Sequence, residues 1–408
     1  MVTAVLTTTT RIPTKGKTIK LAVTVILLWC FAFVAGLSAP VVRAVSMFSF
    51  VAYALYLNRP SNTFNILALS VFFILLIGNP RLLFQAGFQM SYTAVLSIVW
   101  IYPKLQRFWN PRNHIVKKTW QLFSVSIAAQ LGVFPISLYY FHQFPGLFFL
   151  SNLLIVPILG LILGMGIVVI ITALGGILPS FLVTVYTQLI RFMNQVVHWV
   201  AAQEAFIFKD ISFDGTQLLL WYFLVISLVL TLEKISFIRM IILLGAILCL
   251  QGRAIYLHYK LLRSESLILL HQTANSTMFH QKGNLLDVYT SDGTKLASLI
   301  TNFKVAERIT QTSNHPIKNT YTLGMEKILI IDSFGISPTN FNPDIVILTQ
   351  SPKINLDRYL SSSSPKLILA DGSNYFSYIA RWEATCAKRK LPFHATAEKG
   401  AYYFFRTD

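Results

Sequence analysis

Acidic residues are what this sequence has least of. Its 408 residues carry 34 Lys and Arg against 16 Asp and Glu, and no acid occurs before Glu204. Charged residues make up only 12% of the chain, where an average soluble domain carries about a quarter, and 54% of it is hydrophobic. A soluble protein is thereby excluded over most of the length. Residues 1–263 hold 19 basic and 4 acidic side chains, so most of the +18 net charge belongs to the apolar part. Long apolar sequence decorated almost entirely by cations favours contact with a polyanion, or with anionic lipid headgroups. Cysteine is scarce too. Cys30, Cys249 and Cys386 are far apart and none forms a Cys-x-x-Cys pair, which argues against a disulfide framework or a thiolate metal site. The first twenty residues, "MVTAVLTTTTRIPTKGKTIK", are polar and basic without a cleavage-site pattern, so the next apolar run reads as a retained first span.

Catalytic groupings are equally thin. His114, His142, His198, His258, His271, His280, His315 and His394 never fall in His-x-His or His-x-x-x-His spacing, whereas zinc hydrolase chemistry needs several ligands converging on the ion. Asp287, Asp332, Asp344 and Asp371 sit at predicted strand ends, where metal carboxylates and ordinary turn residues both occur. There is no nucleophile elbow, no phosphate-cradling glycine loop and no paired-carboxylate motif. No cofactor is expected, and energy for any transport has to come from another protein.

What is abundant is span-length apolar sequence. With about 20 residues needed to cross a bilayer, the candidates are Leu21–Ser38, Val41–Leu57, Asn65–Gly78, Leu82–Tyr102, Thr119–Phe141, Phe148–Leu178, Phe181–Ala202, Gln217–Leu232 and Ser236–Tyr256. The fold class expected is a polytopic α-helical membrane protein of eight or nine spans followed by a small soluble α/β or β-rich domain. The parts are a basic segment 1–20, a membrane-embedded region 21–256 and a soluble region 264–408. In the last, short apolar runs such as "KILIID" and "DIVILTQ" alternate with turns, Asp292–Gly293 and Asp371–Gly372 among them, before a helical stretch "YFSYIARWEATCAKRK". Basic loops at Arg11–Lys20 and Lys104–Lys118 face the cytoplasm by the positive-inside rule. Nine spans then place residues 264–408 outside and eight place them inside. The doubtful helix is Phe181–Ala202, where Gln188, Arg191, Gln195 and His198 make a polar stripe. It could line a wet cavity or lie in the interface.

Gln85, Gln89, Ser91, Gln130 and Asn152 fall within or beside spans, where an unsatisfied amide costs several kcal/mol. Each requires a partner helix, a hydrated cavity or a ligand. Arg43, Arg59, Arg81 and Arg191 stand at span ends or faces, and together with the amides they point toward a hydrated path for an anion. Gly87, Gly160 and Gly164 are expected in close helix packing. Pro157 is expected to kink or break the long Phe148–Leu178 run.

Three blocks, "FVAGLSAPVVRA" (33–44), "NPRLLFQAGFQMSYTAV" (79–95) and "AAQLGVFPISLYYFHQFPGLFFLSNLLIVPILGLILG" (128–164), resemble in that order the competence domain of the ComEC family of DNA-uptake channels. The resemblance implies a multi-pass plasma-membrane component that passes single-stranded transforming DNA during natural competence. A cytosolic helicase-like ATPase and an external DNA receptor are the implied partners, within a homo-oligomer or hetero-oligomer. Arg43, Arg81, Gln89, Ser91, Asn152 and Arg191 are then the candidates for the DNA path. Many members carry Asp where this chain has Gln85. The match starts partway into the family's membrane region, so an N-terminally truncated or split member is expected, with another protein supplying upstream helices. "PDIVILTQSP", "SPKLILADGSN" and "HATAEKGAYYF" are similar to late strands of a metallo-β-lactamase-like domain without its metal-binding histidines, and no nuclease activity is expected. The alternatives are a membrane-anchored hydrolase acting through residues 264–408, or an inert fragment of a split channel gene.

Overall fold

The computed structural model describes residues 14–57, 62–273, 275–290, 296–323, 326–336, 338 and 341–407. Arg11, Arg59 and the Asp292–Gly293 turn lie outside the described residues. The chain divides into two compact units, Met1–Leu250 and Gln251–Asp408.

The first unit is helical. Its elements are α1 (Thr14–Val34), α2 (Ala39–Tyr56), α3 (Thr63–Ile77), a 3-10 helix (Pro80–Phe84), α4 (Ala86–Phe108), α5 (His114–Phe141), α6 (Phe148–Leu174), α7 (Ser180–Ala201), α8 (Gly215–Glu233) and α9 (Phe237–Arg263), the last continuing into the second unit. Each apolar run of the sequence but the one beginning at Leu82 thus becomes one helix. The reason is solvent: in hydrocarbon every backbone N–H and C=O has to be paired within the segment. The starts are set by side-chain caps. Asn62, Asn79 and Asn113 accept from backbone N–H groups two residues on, and Asp214 forms a capping box with Gln217.

Among the described residues four helices, α5, α6, α8 and α9, are long and apolar enough to cross a membrane. The others differ from the sequence expectation in instructive ways. α3 has 15 residues, or about 22 Å at ~1.5 Å per residue, short of the roughly 30 Å hydrocarbon core. The run beginning at Leu82 is two elements, because Pro80 and the Asn79 cap start a 3-10 turn that ends at Gln85 before α4 begins. Pro157 does not break α6, which is continuous through it, and Pro103 and Pro135 likewise lie inside α4 and α5.

A Cβ at Gly87, Gly160 or Gly164 would touch nothing within 4 Å, whereas at Gly132 it would collide with the Ser97 side chain and lie 2.7 Å from the Thr93 carbonyl. Gly132 is what lets α4 and α5 approach each other. Tyr222 of α8 then donates to the Gly132 carbonyl at 2.8 Å, joining a third helix to the seam.

The second unit is an α/β sandwich of two five-stranded sheets. One has the order β12-β3-β4-β5-β6 and the other β11-β10-β9-β8-β7. The strands are β3 (Glu265–Leu269), β4 (Thr277–Lys282), β5 (Leu285–Thr290), β6 (Gln311–Pro316), β7 (Thr320–Leu323), β8 (Glu326–Ile331), β9 (Ile345–Leu348), β10 (Leu367–Ala370), β11 (Phe393–Ala395) and β12 (Tyr402–Thr407). The ribbon β1 (Phe144–Pro145) with β2 (Ile207–Phe208) belongs to the helical unit. Strand alternation builds three layers of core. Ile328, Ile330, Ile345, Ile347 and Leu369 meet Leu267, Leu269 and Met278 between the sheets. Leu329, Ile331, Val346 and Leu348 point the other way, onto α11 (Leu356–Ser362) and α12 (Phe376–Lys388), which contribute Leu356, Ile379, Trp382 and Cys386. On the far face Phe279, Leu286 and Val288 pack with Ile300 and Phe303 of α10 (Ala297–Glu307). The helix α13 (Thr396–Lys399) follows β11.

Beyond the C-terminal ends of β9 and β10, Asp371 fastens the loops. Its Oδ1 accepts from the Ser373 N–H at 3.1 Å, the Ser373 hydroxyl at 2.6 Å and the Asn374 amide at 3.0 Å, and Asn374 also donates to the Leu348 carbonyl at 2.7 Å. Asp371 has no solvent exposure. Burial pushes its carboxyl up despite these donors, so the fold favours the protonated form.

Two outcomes are expected. Gly132→Leu costs more than about 2 kcal/mol by overpacking and lowers the yield of monodisperse protein on detergent size exclusion, while Gly164→Leu leaves it unchanged. A raised folded-state pKa contributes stability that is complete below the ordinary carboxylate range and lost as pH rises through the shifted value. Asp371→Asn keeps the Oδ1 acceptor and removes the buried charge. It should therefore flatten the fall in denaturation midpoint as pH rises from below the ordinary carboxylate range, read by tryptophan fluorescence of the full chain.

Candidate functional site

The stretch "NPRLLFQAGFQMSY" forms a turn of 3-10 helix leading into α4, and its carbonyls set the problem that its polar side chains solve. Gln89, one turn inside α4, donates from Nε2 to the Leu83 carbonyl at 2.9 Å. Tyr140, near the end of α5, donates to the Phe84 carbonyl at 3.2 Å. One N–H of the Gln89 amide thus pins the 3-10 turn to α4. Gln85 stands at the junction, capping no N–H with its side chain. Arg81 is exposed, its backbone N–H held by the Asn79 side chain at 2.9 Å.

Arg43 is placed differently. On α2, its guanidinium lies 5.9 Å from the centroid of the Tyr92 ring on α4, immediately after Ser91. The Tyr92 hydroxyl is 3.1 Å from that of Ser70 on α3, which also donates to the Leu67 carbonyl at 2.8 Å. Around these groups are apolar side chains, Leu67, Ile74 and Phe88. Arg43 Nε and Nη1 are buried without a hydrogen-bond partner. No acid precedes Glu204 in the chain, and among the described residues no carboxylate pairs with Arg43. A cation held this way in a low-dielectric setting attracts any mobile anion that can reach it.

The remaining candidates are dispersed. Asn152 is exposed in the second turn of α6, and Arg191 is exposed on α7 with Gln188, Gln195 and His198 along the same polar stripe. Arg43 and the Tyr92 that follows Ser91 are in contact, and Arg81 and Gln89 share the adjoining turn. Asn152 and Arg191 stand apart on the α6–α7 hairpin.

The helix ends gather at two levels. The ribbon β1–β2 ties the start of α6 to the segment after α7, and His142, in a left-handed cap on α5, accepts at its carbonyl from the Ile211 N–H at 2.9 Å while its Nδ1 lies 3.2 Å from the Ile211 carbonyl ahead of α8. At the opposite ends of α4, α8 and α9, Lys104 lies 3.7 Å and Arg239 4.0 Å from the Glu233 carboxylate, and Lys104 also covers the Trp100 ring at 4.6 Å. The basic loop between α4 and α5 belongs to this second end.

In the sandwich the histidines are engaged locally. His271 Nδ1 is 3.2 Å from the Thr396 hydroxyl, His280 contacts Glu265, His315 contacts Asp287 and His394 contacts the Gly400 carbonyl. Asp344 accepts from the Lys327 N–H at 3.0 Å and pairs with Lys366 at 2.9 Å, which holds its carboxyl below the usual range. Among the described residues no three His, Cys, Asp or Glu side chains converge as metal ligands would.

Comparison with known proteins agrees with this arrangement. The Competence protein family matches residues 1–235, and the ComEC C-terminal domain matches residues 267–406. A relative, ComE operon protein 3 of Bacillus subtilis (strain 168), is 28% identical over 222 residues, covering 53% of this chain and 27% of that protein. The chain thus spans about a quarter of the length of the relative it matches. No solved structure matches it. A helical membrane region carrying the competence motifs and a C-terminal α/β domain of the ComEC type, in this order, make the chain a member of the ComEC family of competence proteins.

Proposed function

We propose that the chain is a component of a plasma-membrane channel that passes single-stranded DNA during competence, with Arg43 as an intramembrane phosphate contact. The observation that carries this reading is the unpaired guanidinium of Arg43, seated on Tyr92 among apolar side chains with no carboxylate beside it. Arg81, Ser91, Asn152 and Arg191 would add polar positions along the route, while Gln89 shapes the turn that leads into it. Contacts of this kind read the phosphate backbone and not the base, and they weaken with salt. The chain's sequence offers no nucleotide-binding loop, so a helicase-like ATPase and a DNA receptor would supply pulling and capture.

A nine-span topology is part of the proposal. Thr18 of α1 and Tyr56 at the end of α2 are 3.1 Å apart, which makes these two helices antiparallel. The β1–β2 ribbon makes α6 and α7 antiparallel, and the Lys104–Glu233 pair puts the ends of α4 and α8 together. Alternation through all nine helices leaves the basic loops on the cytoplasmic side and residues 264–408 outside. There the α/β domain would act without nuclease chemistry, since its histidines are engaged with neighbouring side chains and carbonyls.

In competent cells, Arg43→Gln is expected to reduce entry of labelled DNA into the cytosol about tenfold, the worth of one charge-assisted contact, with DNA binding at the cell surface unchanged and Arg43→Lys partly restoring it. Normal entry in the Arg43→Gln strain, or in a deletion strain, would sink the reading. Protease added to intact spheroplasts should cleave within residues 264–408, and protection there would remove the nine-span topology.

A further inference from the structure

We infer that the flank of α12 facing the segment that leads into α11 holds a binding site for a nucleotide unit, a base with its phosphate, which deepens the channel reading by giving the α/β domain its own grip on a single strand. The site is a cavity of about 440 Å³ between α12 and the segment that leads into α11, within the range of small-ligand pockets. Tyr378, Arg381 and Thr385 recur at i, i+3 and i+7 and so share one face of α12, with Trp382 beside them. All four line the cavity, opposite Lys353, Asn355 and Asp357.

Two observations define the occupant. The lining is cationic: among the described residues neither Lys353 nor Arg381 forms an ion pair, whereas the one acid, Asp357, is taken by Arg389 at 2.7 Å. That pairing holds the Asp357 carboxyl below its ordinary range. The lining is also aromatic. The Arg381 guanidinium lies 4.7 Å from the Tyr378 ring centroid, Trp382 meets the same ring edge-on at 5.6 Å, and Tyr375, at the N-cap of α12, lies 6.4 Å from it.

A metal ion is disfavoured by the two cations, and a lipid tail by the polar lining. A flat ring with an anionic group uses every feature: stacking on the tyrosine and guanidinium, and phosphate on Lys353 and Arg381. Stacking with cations is how single strands are bound without regard to sequence, and Tyr375 offers a platform for the neighbouring base.

The test uses the full chain in detergent, with fluorescence anisotropy of a labelled oligothymidylate measured across a salt series. Lys353→Glu with Arg381→Glu should weaken binding at least about tenfold and make the salt slope shallower by about 1.4, from ~0.7 per phosphate contact on a single strand. Tyr378→Leu should weaken binding about tenfold through lost stacking while leaving the salt slope alone. Where charge reversal lowers the yield of folded chain, Thr385→Glu carries the same sign of effect from another position. Thymidine monophosphate competes as a second arm. Displacement at matching nucleotide concentration identifies a free nucleotide as the occupant of the site, and weak displacement identifies the strand. Wild-type affinity and slope in a folded charge-reversal variant would overturn the site, as would no binding by the wild-type chain. Loss of binding confined to Arg43→Gln would also remove this site while sparing the channel reading.

Discussion

A carbonyl group facing hydrocarbon has to find its donor inside the protein, and much of the helical unit follows from how this chain meets that demand. Regular helix settles most of the account. The exceptions are places where helix is interrupted, and there the sequence supplies a side chain. Gln89 answers Leu83 and Tyr140 answers Phe84 at the 3-10 turn. A third donor, Tyr222, reaches a carbonyl already within helix, that of Gly132, and so locks α8 onto the α4–α5 seam. Polar residues in a membrane helix therefore have two distinct duties here, closing the backbone's hydrogen bonds and presenting charge. Separating them assigns Gln89 to the first and leaves Arg43 to the second.

The α/β unit obeys a different accounting. Its strands are only three to six residues long, and the central ones are buried on both faces, so Ile328–Ile331 of β8 and all of β9 contribute to one core layer or another. Fully burying a residue of the Leu or Ile kind stabilises by roughly 1.5–3 kcal/mol, and a few such strands suffice to hold two sheets together. The loops at their ends are then free to carry polar groups, of which Asp371 is the most deeply committed.

Much of this was legible in the sequence because hydrophobic runs are long and unambiguous in one half and short in the other. All the apolar runs but the one beginning at Leu82 became single helices, and "YFSYIARWEATCAKRK" became α12. What escaped the sequence had local physical causes. A cap at Asn79 with Pro80 behind it outweighed the apolar character of Leu82–Phe84. A proline within a helix whose neighbouring residues stay helical, as at Pro157, leaves no break. The close approach of α4 and α5 at Gly132 was not singled out, because which glycine a neighbour approaches depends on tertiary arrangement. Of the path candidates, Arg43 is joined to the residue after Ser91, and nothing in the spacing of α2 and α4 announced that contact. The Asp371 network and the α12 cavity likewise join residues from separate segments.

The solitary state of Arg43 has a consequence for residence time. A cluster of cations would hold a phosphate tightly and stop it, whereas one guanidinium backed by an aromatic ring offers a shallow well. Conduction needs sites favourable enough to enter and weak enough to leave. On the proposed reading, each phosphate of a moving strand would occupy the site briefly and be replaced by the next. The scarcity of acid would keep that exchange free of competing cations.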